Sequence, residues 1–362
     1  MKIPTVDFLI EKIAQLQSHQ HDFYSDGMFA SQRFHRWLPY TREDNNIYYP
    51  ALIAFTLQKS LKYLTPPQQN KVKHIIKGIT QNYPRFEGLQ NPHLYNFYQT
   101  KPIAPYPNGY ILSKFNYFIL PEDADCTVLV AITNPENTSK QALIIRDYLI
   151  KFANLSAKKT KYALPQYAHL PAYGVWFGSG KMPIEIDICV LCNILCFNQQ
   201  YQLPLIEQDQ ASFEFIRMAI ESNDILQRPF ALSSYYPNSS IILYHIARLW
   251  DTLARPGVHL PTQKIIKLIQ AQAHDVSTQF EKMLLDIALL KMQVLPEKST
   301  LDGNQLIEEF KSFPYFIASM PYDSPTAWLE AIKNHSLFHI YYKNTAYYYT
   351  LWLEYELLTH NT

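Results

Sequence analysis

Apolar residues recur at helical spacing along almost the whole of this 362-residue chain. Val6, Leu9, Ile10 and Ile13 form one stripe, and Val72, Ile75, Ile76 and Ile79 repeat the i, i+3, i+4, i+7 pattern. Comparable patterns predict helices near 47–63, 139–155, 183–198, 208–222, 239–254, 262–273, 276–293, 303–312, 324–334 and 344–359. Capping residues stand at expected starts, as in Ser139 and in Asn238-Ser-Ser. Proline punctuates the gaps, at Thr65-Pro-Pro, Pro102 to Pro107, Pro165 to Pro171, Pro204 and Pro237.

With only 9 glycines the chain is poor in the residue that tight β-turns and phosphate-cradling loops require. No strand pair, GxGxxG run or Walker-type run is evident. An all-α fold follows. Solenoids carry a repeat of fixed period, and none is found here. The expected architecture is therefore an α/α toroid, a ring of helical hairpins forming one domain over 1–362, with loops at one end around a central cavity.

Hydrophobic content of 48% supports a substantial core, and a net charge of +1 supplies no electrostatic reason to expect nucleic acid. No apolar stretch reaches the length of a membrane span. The first fifteen residues include Asp7 and Glu11 and do not read as a secretory signal, so a cytoplasmic location is expected. Four cysteines give no disulfide framework. Cys189, Cys192 and Cys196 share one face of an apolar helix among Ile, Val and Leu, which predicts packed thiols. Neither a metal nor a cofactor is expected, and the oligomeric state is open.

Chemistry concentrates in three segments. Ile119-Leu-Pro-Glu-Asp-Ala-Asp-Cys-Thr places Glu122, Asp123 and Asp125 at the start of an apolar helix. Capping accounts for one or two of these acids. A third, crowded by like charges, is a candidate general acid, because one carboxyl of such a group is pushed up in pKa. The aromatic, proline-stiffened loop 94–112, with Tyr95 and Asn108, leads into this segment. Trp176 and the Gly178-Ser-Gly180 stretch precede Glu185 and Asp187 at the start of the cysteine-bearing helix. These three segments are expected to meet at one end of the cavity. Asp44 and Asn45 either cap a helix with Asn46 or line the cavity mouth, and His245 sits mid-helix one turn before Arg248.

Asp123-Ala-Asp125-Cys-Thr127 resembles the DxDD-T segment of class II terpene cyclases of the squalene–hopene cyclase type, although the family's final Asp is Cys126 here. The resemblance implies an α/α toroid in which Asp125 protonates an alkene or similar apolar substrate, with Asp123 beside it. More broadly the chain resembles a bacterial group of toroid proteins with Asp-Asn-Asn, Pro-Asn-Gly and acidic-Asp-Thr segments in this order. Aromatic side chains would then stabilise cationic intermediates through their π faces. Two other readings stand beside this one: a glycan-active toroid working with paired carboxylates, and a non-catalytic toroid that binds a ligand or partner in its cavity.

Overall fold

The computed structural model describes residues 4–19, 23–89, 91–102, 120–156, 158–160, 163–178, 182–253, 259–297, 301–319 and 335–361. Among these residues the protein is predominantly helical, with fourteen α-helices and one four-stranded antiparallel sheet. The expected helix at 324–334 and Asn108 lie outside the described residues.

Six helices are buried along most of their length: α2 (Tyr48–Ser60), α4 (Ala124–Thr133), α6 (Ile188–Gln200), α10 (Ser239–Thr252), α12 (Gln279–Lys291) and α14 (Thr345–Asn361). They alternate along the chain with helices buried mainly on one stripe: α1 (Val6–Leu16), α3 (Pro66–Thr80), α5 (Ser139–Lys151), α7 (Glu207–Glu221), α11 (Thr262–Asp275) and α13 (Gly303–Phe310). Two single-turn helices, α8 (Asp224–Gln227) and α9 (Pro229–Leu232), lie between α7 and α10.

Sequence explains the difference. The segment Ala-Asp-Cys-Thr-Val-Leu-Val-Ala-Ile-Thr of α4 has no polar face to present to water, and all its residues are buried. In α1 only Leu9, Ile10 and Ile13 are buried, and in α3 only Val72, Ile75, Ile76 and Ile79, which are the stripes read from spacing. The buried helices pack α2 on α4, α4 on α6, α6 on α10, α10 on α12, α12 on α14 and α14 on α2. Each is covered by a stripe helix: α3 on α2, α5 on α4, α7 on α6, α11 on α10 and α12, α13 on α12, and α1 on α14.

The all-α expectation is corrected by the sheet. Strands β1 (Ser31–Phe34), β2 (Thr41–Asp44), β3 (Phe316–Ser319) and β4 (His339–Lys343) are ordered β2-β1-β4-β3. They are four or five residues long, too short for a period-2 pattern to stand out. The decisive pairing, Arg33 with Tyr342 and Phe34 with Tyr341, joins opposite ends of the chain. The β1–β2 turn also dispenses with glycine. His35 Nδ1 accepts from Trp37 N (3.0 Å) and Leu38 N (2.9 Å), which leaves Nε2–H to donate to Leu337 O at 2.8 Å.

Caps are largely where the residue types place them. Asn238 Oδ1 accepts from Ser240 N and Ile241 N, while α5 is capped by Thr138 with Gln141 rather than by Ser139. Cys189, Cys192 and Cys196 are free and buried inside α6.

Candidate functional site

A short backbone ladder assembles the site. Glu87 pairs with Tyr95, Tyr95 with Asp123, and Asp123 with Trp176, all antiparallel. Asp123 N donates to Tyr95 O (3.1 Å), Ala124 N to Val175 O (2.7 Å) and Phe177 N to Glu122 O (2.9 Å). The 121–127 and 173–187 segments therefore meet the described part of the 94–112 loop, as expected from sequence. Tyr95 is held in this ladder by a further bond from its N–H to Thr127 Oγ1 at 2.9 Å.

Beside the ladder lies a cavity of about 600 Å³ with a strongly apolar lining that includes Phe97, Leu120, Trp176, Phe316, Ile340 and Tyr342. A second space of about 60 Å³ shares Phe97, Trp176, Tyr235 and Phe316 with it and adds Tyr48, Asp123, Asp125 and Tyr236. The sheet supplies Phe316 and Tyr342, whose rings stack at 4.4 Å. An element that sequence reading missed thus forms one wall.

The two acids of α4 differ in their surroundings. Asp123 caps the helix through Oδ1, which accepts from Cys126 N at 2.7 Å. Its Oδ2 is buried and has no hydrogen-bond partner among the described residues. Burial, with the neighbouring Asp125 charge adding to it, pushes the Asp123 carboxyl up to about 7. Asp125 has both oxygens occupied: Oδ1 by Asn193 Nδ2 (2.5 Å) and Oδ2 by the Tyr236 hydroxyl (2.6 Å). Burial also raises its pKa, and these two bonds and the Arg248 charge work against that rise.

The two acids before α6 do different work. Asp187 is the N-cap, accepting from Cys189 N (2.9 Å) and Val190 N (3.3 Å), and its other oxygen accepts from Ser233 Oγ at 2.7 Å. Burial raises it to about 7. The helix begins at Ile188, so Glu185 stays in an extended segment and caps nothing. Glu185 Oε2 instead accepts from Trp176 Nε1 (2.8 Å) and the Tyr235 hydroxyl (2.6 Å), which sets the two rings against the cavity.

Burial raises Glu185 to about 8. Its ordinary value is 4.5, so between these two pH values the folded chain holds a proton that the unfolded chain has released. Folded stability therefore falls as pH rises through that window. Relative to Glu185→Gln, wild-type stability is expected to decline between about pH 5 and 8 by up to about 1.4 kcal/mol per unit. Denaturant titrations across this range check it, and a pH-independent difference would remove the buried neutral acid.

Three other candidates line neither space. Asp44 is wholly buried, accepting from Tyr98 OH (2.9 Å) and Asn46 Nδ2 (2.7 Å) with Arg33 Nη1 at 3.6 Å. Asn46, not Asp44, bonds the first turn of α2 through Tyr49 N at 3.2 Å. Asn45 ties Phe23 O at 2.7 Å. His245 is buried, with Nδ1 on Ile241 O at 2.9 Å, and burial holds its pKa well below the usual value. Its ring packs on Tyr236, Tyr244 and Tyr315, and His245 itself lines neither space.

Sequence reasoning passed over Asn193, Tyr235 and Tyr236, and met Arg248 only as a neighbour of His245. One signal was present: Asn193 is a polar residue inside the apolar run Ile188 to Phe197, and such a residue needs a polar partner. Among the described residues no group of three His, Cys, Asp or Glu side chains is arranged to hold a metal ion. No described helix is long and apolar enough to cross a membrane.

No protein-family model matches this chain, and no curated protein or solved structure is significantly similar to it.

Proposed function

We propose that this protein is an α/α toroid enzyme that protonates an alkene-containing apolar substrate, in the manner of a class II terpene cyclase. Two facts support the toroid: the strict alternation of buried and stripe helices, and the order of packing that leads from α2 through α4, α6, α10, α12 and α14 back to α2. The observation that carries the chemistry is the unpartnered oxygen of Asp123 next to an aromatic cavity.

A carboxyl with a pKa of about 7 is substantially protonated near neutrality. With Oδ1 engaged by Cys126 N, Oδ2 is the oxygen left to carry the proton, and Asp123 lines the small space next to the large cavity. Transfer breaks the O–H bond, forms a C–H bond at one alkene carbon and leaves a cation at the other. Phe97, Trp176, Phe316 and Tyr342 then offer π faces to that cation. Ring closure and loss of a proton to water, with Asp123 taking a proton back from water, complete a net isomerisation. In this reading the donor is Asp123 rather than Asp125, with Asp125 as the ionised neighbour that keeps the Asp123 proton in place.

A volume of about 600 Å³ lies within the ordinary range for small-molecule sites, roughly 300–1,000 Å³. His35, Tyr98, Ser234, Tyr235 and Ser319 also border this cavity, but its exposed lining is mostly apolar, which favours the apolar reading over the glycan one.

The test is incubation in D2O with linear polyprenoids, a polyprenyl diphosphate and a linear triterpene among them, followed by mass spectrometry. A cyclic isomer carrying one deuterium is expected. Recovery of every polyprenoid unchanged and unlabelled overturns the proposal.

A further inference from the structure

The most unusual polar group in the core is Arg248, on α10. It is 3% exposed, yet its Nε and Nη1 have no hydrogen-bond partner among the described residues. Its guanidinium lies over the rings of Phe55 and Tyr244, at 4.9 and 5.5 Å from their centroids. Its polar contact is Nη2 donating to Asn193 Oδ1.

That contact dictates the rest. A guanidinium has donors only, so the oxygen of the Asn193 amide faces Arg248 and its NH2 faces Asp125 Oδ1. Turning the amide over would set donor against donor at Arg248. Asp125 Oδ1 must then accept. Asp125 Oδ2 receives the Tyr236 hydroxyl, which burial keeps protonated. Both oxygens are acceptors, an arrangement the ionised carboxylate satisfies in full.

We infer that Asn193 and Arg248 are positioning residues that fix Asp125 as a double acceptor and thereby leave the mobile proton of the pair on Asp123. This deepens the proposed role of Asp123 and rests on it. Other titratable groups face Asp125 as well. Cys126 comes from its own helix, and Asp187, Cys189 and Cys192 come from α6. Tyr48 comes from α2. Burial keeps these thiols and phenols neutral, so Arg248 is the cation among the groups named.

Carboxyl 13C resonances of labelled aspartates, followed against pH without substrate, test the inference independently of any turnover. In the wild-type protein a resonance titrating near neutrality is expected to vanish in Asp123→Asn. Burial raises Asp187 as well, with the Asp125 charge adding to it, so its resonance is assigned separately with Asp187→Asn. In Arg248→Met the proton is expected to move to Asp125, so the neutral-range resonance then vanishes with Asp125→Asn and survives Asp123→Asn.

Arg248→Met leaves Asn193 Oδ1 buried without its donor, at a cost in stability, so each variant is first checked for folding by circular dichroism. Asn193→Leu offers a second route to the same exchange, because it removes the amide that joins cation to carboxylate. Arg248→Lys retains the charge and should leave the proton on Asp123. If the Asp123 resonance keeps its midpoint in both Arg248→Met and Asn193→Leu, the inference fails, whether or not the protein cyclises polyprenoids.

Discussion

Asp123→Asn is expected to leave the fold intact and to lower turnover by about two to four orders of magnitude, the usual worth of a positioned general acid. Asparagine caps a helix about as well as aspartate, so the bond from Cys126 N survives the change. What disappears is the proton on Oδ2, the oxygen with no partner among the described residues. Wild-type activity should be highest on the acid side and fall as pH rises through about 7, because the protonated form does the work.

Asp125→Asn should behave differently. The new amide still offers an acceptor to Asn193, and its NH2 meets the Tyr236 oxygen. Loss of the neighbouring charge lowers the Asp123 pKa, so the decline of activity moves to lower pH while turnover persists below it. Rate–pH profiles of both variants decide the matter. A folded Asp123→Asn protein with wild-type turnover, or an Asp125→Asn protein inactive at every pH, would return the donor role to Asp125.

The largest expected loss of stability lies elsewhere, at Asp209 on α7. This residue is fully buried and accepts from Arg146 Nη2 (2.6 Å) on α5, from Asn198 Nδ2 (2.7 Å) on α6 and from the Tyr173 hydroxyl (2.8 Å). Removing one partner of a buried ion pair strands the other charge and costs about 3–5 kcal/mol. Asp209→Ala should cost that much by urea denaturation. Asp209→Asn should cost less, since one acceptor oxygen remains. A loss below about 1 kcal/mol for the alanine variant would mean that Arg146 finds other partners. The effect should reach the site, because Tyr173 anchors the strand-like segment whose Val175 O receives Ala124 N.

Helix formation was legible because it is local. The stripes Val6-Leu9-Ile10-Ile13 and Val72-Ile75-Ile76-Ile79 are the buried faces of α1 and α3, and the all-round apolar α4 and α6 are buried on nearly every side. The acidic segment was also legible as a place where chemistry concentrates, since three carboxylates beside an apolar helix conflict with their solvation. Which acid keeps a free oxygen was not. That depends on Asn193, Tyr236 and Arg248, which lie roughly 70 to 120 residues away along the chain and reach Asp125 only when α4, α6 and α10 pack together.

The same limit explains the sheet and the acids before α6. Strand β1 pairs with β4 across some 300 residues, and nothing within either four- or five-residue segment announces the other. Glu185 and Asp187 differ by two positions and are equally suited to capping by type; the start of α6 at Ile188 gives the cap to Asp187 and leaves Glu185 to Trp176 and Tyr235. The sequence by itself determined where the long helices lie and which face each buries, because those follow from the spacing of side chains on one segment. The tertiary structure decided the strands, the aromatic wall and the surroundings of each acid, because pairing, burial and charge proximity are relations between segments.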